Sequence, residues 1–208
     1  VTLLDGITTI GDCTFKSCTN LNEISIPDSV KLIGNSAFEG CGSLKNVIIP
    51  KGVETIGDLS FAHCFHLQEV TVKENVTRIG KDAFYSPNLE RIDVSPNNSA
   101  YKSANGVLYS KDGKILIKYP ENKKGAIFDI PDGVERVVDN AFLNCKIEKL
   151  YIPASVKFIG ASAFSYYHDI RLVADWNVDF SGFEKGWNRN HPVIDVGGNK
   201  HLLRGNWF

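Results

Sequence analysis

The sequence lacks the features that mark membrane-inserted and nucleic-acid-binding chains. No stretch approaches the roughly 18 consecutive apolar residues that a membrane-spanning helix needs. Net charge is only −1 and the basic residues are scattered, which disfavours binding to phosphate backbones or anionic lipid surfaces. The first residues do not form a signal peptide. We therefore predict no nucleic-acid partner and no membrane insertion of this chain.

Motifs that carry catalysis or disulfides are also missing. The five cysteines, Cys13, Cys18, Cys41, Cys64 and Cys145, are odd in number and include no CxxC pair, so they do not form a disulfide framework. No GxSxG, HExxH or phosphate-binding glycine loop occurs. The cluster His63-Cys64-Phe65-His66 resembles a metal site, but Cys64 should point inward and no fourth ligand is evident. We predict no enzyme activity, no cofactor and no metal.

An internal repeat of 22 or 23 residues organises the chain. Phenylalanines recur every 23 residues, and so do isoleucines that are each followed by glycine: Phe15, Phe38, Phe61 and Phe84; Ile10, Ile33, Ile56 and Ile79. Cysteines follow three of these phenylalanines by three positions: Cys18, Cys41 and Cys64. Each unit also carries the pattern L-x-x-[IV]-x-[IV]: Leu21-Ile24-Ile26, Leu44-Val47-Ile49, Leu67-Val70-Val72, Leu89-Ile92-Val94 and, more loosely, Ile147-Leu150-Ile152.

One repeat unit predicts one rung of a solenoid. Alternating β-branched residues before a proline indicate a short strand. The glycine after isoleucine is expected to supply backbone freedom, and the A-F-x-x-C segment predicts a turn of 3-10 or α helix on the opposite side. Stacked rungs would place parallel strands about 4.8 Å apart over a continuous core. The phenylalanines should form one buried column and the cysteines, including Cys18 and Cys145, another.

These motifs resemble the BspA-like (Treponema-type) leucine-rich-repeat family, whose pattern is close to IPxSVxxIGxxAFxxCxxLxxVxIP. The best matching segments are IPDSVKLIGNSAF from Ile26, IPKGVETIGDLSF from Ile49 and IPASVKFIGASAF from Ile152. The resemblance implies an α/β leucine-rich-repeat right-handed superhelix with its parallel strands on the concave face. It also implies an extracellular or cell-surface protein with a role in adhesion, and no catalytic residues.

The repeat array is predicted over residues 1–168, with an enlarged rung at about 95–129. The extra length holds a predicted hairpin at 105–120, in which Val107–Tyr109 and Ile115–Tyr119 flank a Lys111-Asp112-Gly113 turn. The hairpin is either an architectural flap or a projecting binding loop, and we favour the flap. The first unit begins without its leucine segment, which leads us to expect a fragment of a longer protein or a mature form without its cap.

After Phe164 the repeat ends, and residues 169–208 are predicted to cap the array. Trp187 should pack on the last rung, and Ile194 and Val196 should lie on a final strand. A glycan-binding interpretation of the aromatic residues is an alternative, based on Trp176, Trp187, Tyr101, Tyr109 and Tyr119.

A partner-binding site is predicted on the outward positions of the strands, since alternate side chains of a strand point to opposite faces. The candidate residues are Glu23, Asn46, Ile48, Glu69, Thr71, Arg91, Asp93, Lys149 and Tyr151. This surface is mixed in charge and has few of the anchors typical of binding hot spots. The first hypothesis is a cell-surface or secreted adhesion module that binds a protein. A structural spacer within a longer surface protein and a glycan-binding module are the alternatives.

Overall fold

The structure is a computed structural model that describes residues 1–164, 170–175, 177–187, 193–196 and 199–202. The chain divides into two compact units, one of Val1–Lys111 with Pro120–Asn122 and one of Asp112–Tyr119 with Lys123–Phe208. Short β-strands joined by turns form both units, and the only helix within the described ranges is a 3-10 turn at Phe180–Gly182. The prediction of a parallel-strand repeat solenoid is therefore confirmed.

The first unit contains two parallel sheets and one antiparallel hairpin. Two-residue strands pair in the order β1 (Thr9–Ile10), β2 (Leu32–Ile33), β4 (Thr55–Ile56) and β6 (Arg78–Ile79). The predicted longer strands pair in the order β3 (Asn46–Ile49), β5 (Glu69–Val72) and β7 (Arg91–Val94). The hairpin joins β8 (Tyr101–Ala104) to β9 (Val107–Ser110).

The second unit repeats the two-sheet arrangement. One parallel set is β10 (Ile115–Lys118), β12 (Arg136–Val137) and β14 (Phe158–Ile159). The other is β11 (Ile127–Asp129), β13 (Lys149–Ile152), β15 (Arg171–Ala174) and β16 (Val193–Val196), after which β17 (Asn199–Leu202) pairs antiparallel to β16. The chain thus forms strand β16 where the sequence placed a final strand.

Stacked aromatic rings fill the centre of each unit, as the 23-residue spacing predicts. In the first unit the ring centroids of Phe15, Phe38, Phe61 and Phe84 lie 5.1, 5.0 and 5.9 Å apart in succession. In the second unit Tyr119 stacks on Phe142 at 5.3 Å, and Phe142 lies 5.1 Å from Phe164. Tyr119 therefore takes the phenylalanine position of the enlarged rung, a substitution that the sequence analysis did not identify.

The enlarged rung contributes to both units. In the first, β8 and β9 meet at an Asn105-Gly106 turn in which both residues have positive φ, +50° and +79°. This geometry favours asparagine and glycine in two-residue hairpin turns. Strand β8 was nevertheless not predicted from the sequence. In the second, Leu116 of β10 pairs with Val137 and so occupies the position that isoleucine holds in ordinary rungs.

The predicted helical turns opposite the long strands are wrong. The segments after each isoleucine form separate hydrogen-bonded turns in place of a helix; in one of them the N–H of Lys16 donates to the carbonyl of Cys13 at 3.1 Å. The residue three positions after each isoleucine has positive φ: Cys13, Ser36, Leu59 and Asp82. A left-handed residue in every rung interrupts helix propagation, because a right-handed helix needs consecutive negative φ values.

The glycines that follow isoleucine serve close packing rather than backbone freedom, which corrects the sequence-based interpretation. None of Gly34, Gly57 and Gly80 lies in the left-handed region. A Cβ atom on Gly57 would lie 2.6 Å from the backbone nitrogen of Asn35 in the preceding rung. That asparagine accepts a hydrogen bond from the N–H of Asp58 at 2.8 Å. Glycine therefore makes room for an Asx side chain that ties two rungs together.

The cysteine column is buried only in part. Cys41, Cys64 and Cys145 are buried, whereas Cys13 and Cys18 are exposed. The prediction that Cys18 is a core residue is wrong, because its side chain is exposed. The thiol of Cys64 donates to the carbonyl of Phe38 at 3.2 Å. Burial raises the pKa of the Cys41 thiol to about 11 and that of Cys64 to about 12, so both are neutral, packed groups.

Candidate binding surface

The outward side chains of the long strands form a regular surface in the first unit. Buried and exposed positions alternate along β3, with Asn46 and Ile48 exposed between buried Val47 and Ile49. The parallel register places Asn46 beside Glu69 and Glu69 beside Arg91; the next row is Ile48, Thr71 and Asp93. With Glu23, these residues constitute what we call the strand face. Seven of the nine predicted site residues thus belong to one unit.

Charges on the strand face are partly paired with one another. Nε of Arg91 lies 2.7 Å from Oδ2 of Asp93, and Nη2 donates to Oδ1 at 2.9 Å. Asp93, and more weakly Glu69 on the neighbouring strand, raise the pKa of the Arg91 guanidinium above its ordinary value. Arg91 therefore stays charged but is held in one orientation, which reduces the ordering cost of a contact with a partner.

Ile48 is the large apolar side chain of this surface, with 61% of its area exposed. It lines a groove of about 520 Å³, whose other lining residues are Lys45, Asn46 and Pro50 of its own rung and Asn22, Glu23, Ile24, Ser25 and Ile26 of the preceding rung. A volume of this size falls within the range of ligand-binding clefts. The sequence gives no signal for this groove, because the rung from Leu21 to Ile26 matches the repeat pattern fully.

The remaining two predicted residues lie on the corresponding strands of the second unit. Lys149 and Tyr151 are half-buried on β13, and the ammonium of Lys149 lies 4.5 Å from the centre of the Tyr151 ring. The register places Tyr151 between Asp129 and Val173. A shallow groove of about 340 Å³ passes over Tyr151 and is bordered by Asp129, Asp132 and Asp175.

The aromatic residues proposed for glycan binding are buried or half-buried wherever the structure describes them. Trp187 is fully buried, with its ring centroid 5.7 Å from Phe164 and 5.0 Å from Phe183. Tyr109 and Tyr119 are also buried. Tyr101 is half-buried, and its hydroxyl accepts a hydrogen bond from the N–H of Ile79. Trp176 lies outside the described residues. The described rings pack against the interior of the rungs and do not form an exposed surface on which a sugar could stack.

The side chains of the histidine–cysteine cluster make packing contacts and hydrogen bonds with neighbouring residues. Cys64 points inward, His63 meets the edge of Tyr85 with ring centroids 5.2 Å apart, and Nδ1 of His66 is hydrogen-bonded to the carbonyl of Gly42. Within the described ranges no group of three or more His, Cys, Asp and Glu is placed to hold a metal. The same ranges contain no helix of sufficient length and apolarity to cross a membrane.

Solved structures of bacterial leucine-rich-repeat proteins resemble this chain. The pneumococcal vaccine antigen PcpA is 27% identical over 81% of this chain and 44% of its own, with a TM-score of 0.71. A leucine-rich repeat protein from Eubacterium ventriosum is 25% identical over 94% of this chain and 59% of its own, with a TM-score of 0.72. The chain thus spans about half the length of these two relatives.

A third structure supports the fold alone. A leucine-rich cell surface protein from Faecalibacterium prausnitzii is 23% identical over 95% of this chain and 79% of its own, with a TM-score of 0.53. No curated protein sequence matches the chain. The family profile described as the BspA type leucine rich repeat region matches six copies over residues 1–105 and 121–173. With its stacked rungs, phenylalanine column and in-register strand face, this chain belongs to the BspA-type leucine-rich-repeat family.

Proposed function

We propose that this chain is a non-enzymatic interaction module of a secreted or cell-surface protein and that its strand face binds a protein partner in adhesion. The observation that supports this most is the exposure of Ile48 on an in-register surface that also presents Glu69 and Arg91. An exposed apolar side chain in a groove that Glu23 and Lys45 also line matches the apolar centre and polar rim of protein interfaces.

The proposed location rests on similarity. The relative PcpA is described as a vaccine antigen, and this description supports a location at the cell exterior. Repeat solenoids of this type present an extended surface built from the same position of successive rungs. A module of this kind suits recognition of another protein at the cell exterior.

A spacer role within a longer surface protein is the second candidate. The pairing of Arg91 with Asp93 favours it, because charges that neutralise one another offer less to a partner. The glycan-binding alternative has less support, since the described aromatic rings at its proposed positions are buried or half-buried.

The test is binding of the purified chain to a panel of immobilised extracellular-matrix proteins and to a glycan array at physiological salt. The test variant exchanges charges on the strand face, Glu69→Lys with Arg91→Glu. A matched control exchanges Lys31 and Glu54, an exposed ion pair of 3.4 Å beside β2 and β4. Both double variants leave the net charge unchanged, so a difference between them reports position and not total charge.

Saturable binding to a matrix protein that is lost in the strand-face variant and kept in the control supports the proposal. Binding lost equally in both variants, or kept in both, argues against the strand face as the site. If the folded chain binds none of the matrix proteins or glycans, the result favours the spacer role.

A further inference from the structure

The groove on the strand face coincides with an interruption of the backbone hydrogen-bond network between two successive rungs. Strands β3, β5 and β7 pair continuously, and Ser25 pairs with Thr2. No backbone hydrogen bond joins residues 22–26 to residues 45–50, although both segments are fully described. The rungs meet on either side of this gap, where the N–H of Ser43 donates to Thr19 and Lys51 pairs with Asp28.

The orientation of the unpaired groups follows from the strand pairing. The carbonyls of Lys45 and Ile49 accept hydrogen bonds from Gln68 and Lys73 on the β5 side. Successive residues of a strand direct their backbone groups to opposite sides. The N–H and C=O groups of Asn46 and Ile48 therefore point into the groove. On the opposite wall, the backbone groups of Ser25 bond to the first rung. The N–H and C=O groups of its neighbour Ile24 therefore point into the groove.

We infer that this groove binds a short extended peptide segment of a partner protein, which adds its backbone to the free edge of β3. The inference rests on the proposed function, in which the strand face receives a protein. A row of unpaired N–H and C=O groups recognises an extended backbone of any sequence. Ile48 supplies the apolar contact that selects side chains, while Glu23 and Lys45 border the groove with opposite charges.

The groove's dimensions fit such a ligand. It is bounded at both ends by the rung contacts at Thr19–Ser43 and Asp28–Lys51, and its walls are five or six residues long. At roughly 3.3 Å per residue, a segment of about five or six extended residues spans that length. A folded domain is too large to enter, so the segment must come from a loop or a terminus of the partner.

The test uses hydrogen exchange and a synthetic peptide with the sequence of residues 68–73, acetylated and amidated. This sequence is chosen because β5 already pairs with the other edge of β3. In the free chain, the amides of Asn46 and Ile48 should exchange quickly, whereas those of Val47 and Ile49, which face β5, should be protected. Saturating peptide should slow exchange at Asn46 and Ile48 by about tenfold or more. The same peptide with its four central amides N-methylated should have no effect.

Ile48→Thr provides the second arm, because this exposed position tolerates the change without loss of folding. It should weaken binding of the peptide and leave exchange at Val47 and Ile49 unchanged. Protection of Asn46 and Ile48 in the free chain would show that the rungs are paired and overturn the inference. Protection that appears with rising protein concentration alone would assign the groove to a second copy and overturn it as well. Matrix-protein binding that depends on Glu69 and Arg91, without any peptide effect, would overturn this inference but leave the proposed function standing.

Discussion

Asp58 accepts a hydrogen bond from the backbone N–H of Lys81 in the next rung at 2.8 Å, directly over Gly80. A Cβ atom on Gly80 would lie 2.4 Å from both Oδ1 and the backbone nitrogen of Asp58. The equivalent bonds from Asn35 to Asp12 and from Asp58 to Asn35 are 2.6 and 2.8 Å long. Side-chain oxygens thus link each of these rungs to the next, and glycine makes that approach possible.

Gly57→Ala should destabilise the first unit by about 2–3 kcal/mol, since the added methyl group overlaps backbone atoms of Asn35 that a neighbouring rung holds in place. Urea denaturation measures the free energy of unfolding. Gly42→Ala is the matched control, because its Cβ would meet nothing closer than 4.0 Å. Equal effects of the two substitutions would contradict the close-approach explanation.

Leu59→Asn should stabilise the fold by about 1 kcal/mol. Leu59 has φ +56° and is 36% exposed, and asparagine tolerates the left-handed region better than a branched aliphatic side chain. Leu32→Asn is the control, because Leu32 is similarly exposed at 38% but lies in strand β2. Thermal denaturation should show a higher midpoint temperature for Leu59→Asn than for the unmodified protein, and no increase for Leu32→Asn.

Phe61→Ala should cost about 3–5 kcal/mol, because it opens a cavity between Phe38 and Phe84 in the middle of the column. In a stack where each rung contacts only its neighbours, this loss should also split unfolding into two transitions. Phe65→Ala, at a side chain that is 55% exposed, should change stability by less than about 0.5 kcal/mol. A single unshifted transition for Phe61→Ala would refute the column's role.

Alkaline pH should destabilise the protein through its buried thiols. Burial raises the pKa of the Cys64 thiol from its ordinary value of 9.0 to about 12 in the folded protein, so the unfolded chain loses this proton first. The contribution of the neutral Cys64 thiol to the free energy of unfolding is fully present below pH 9. It is lost as the pH rises towards 12, by about 1.4 kcal/mol per pH unit. Cys64→Ala should lower the free energy of unfolding at pH 7 and should weaken its dependence on pH. Cys18→Ala, at an exposed position, should change neither the stability at pH 7 nor its pH dependence. Midpoints of urea denaturation across pH 8 to 11 check this expectation.

The features that follow from the repeat spacing could be predicted from the sequence, whereas those that depend on individual contacts between rungs could not. Spacing alone places Phe38 and Phe61 in one column and Glu69 beside Arg91, because identical units must stack in register. Positive φ at Leu59 leaves no trace in the repeat pattern, since the residues at that position share no type. The groove near Ile48 is likewise invisible, because it arises where two rungs with full consensus residues fail to pair.

Affinity of two single variants for a matrix protein bound by the chain tests the central claim most directly. Ile48→Asp and Phe65→Asp each place a carboxylate at an exposed apolar side chain, 61% and 55% accessible, but only Ile48 belongs to the strand face. We expect Ile48→Asp to weaken binding about tenfold or more, a loss of about 1.4 kcal/mol, and Phe65→Asp to bind like the unmodified chain. Loss of binding in Phe65→Asp with full affinity in Ile48→Asp would contradict a partner site on the strand face.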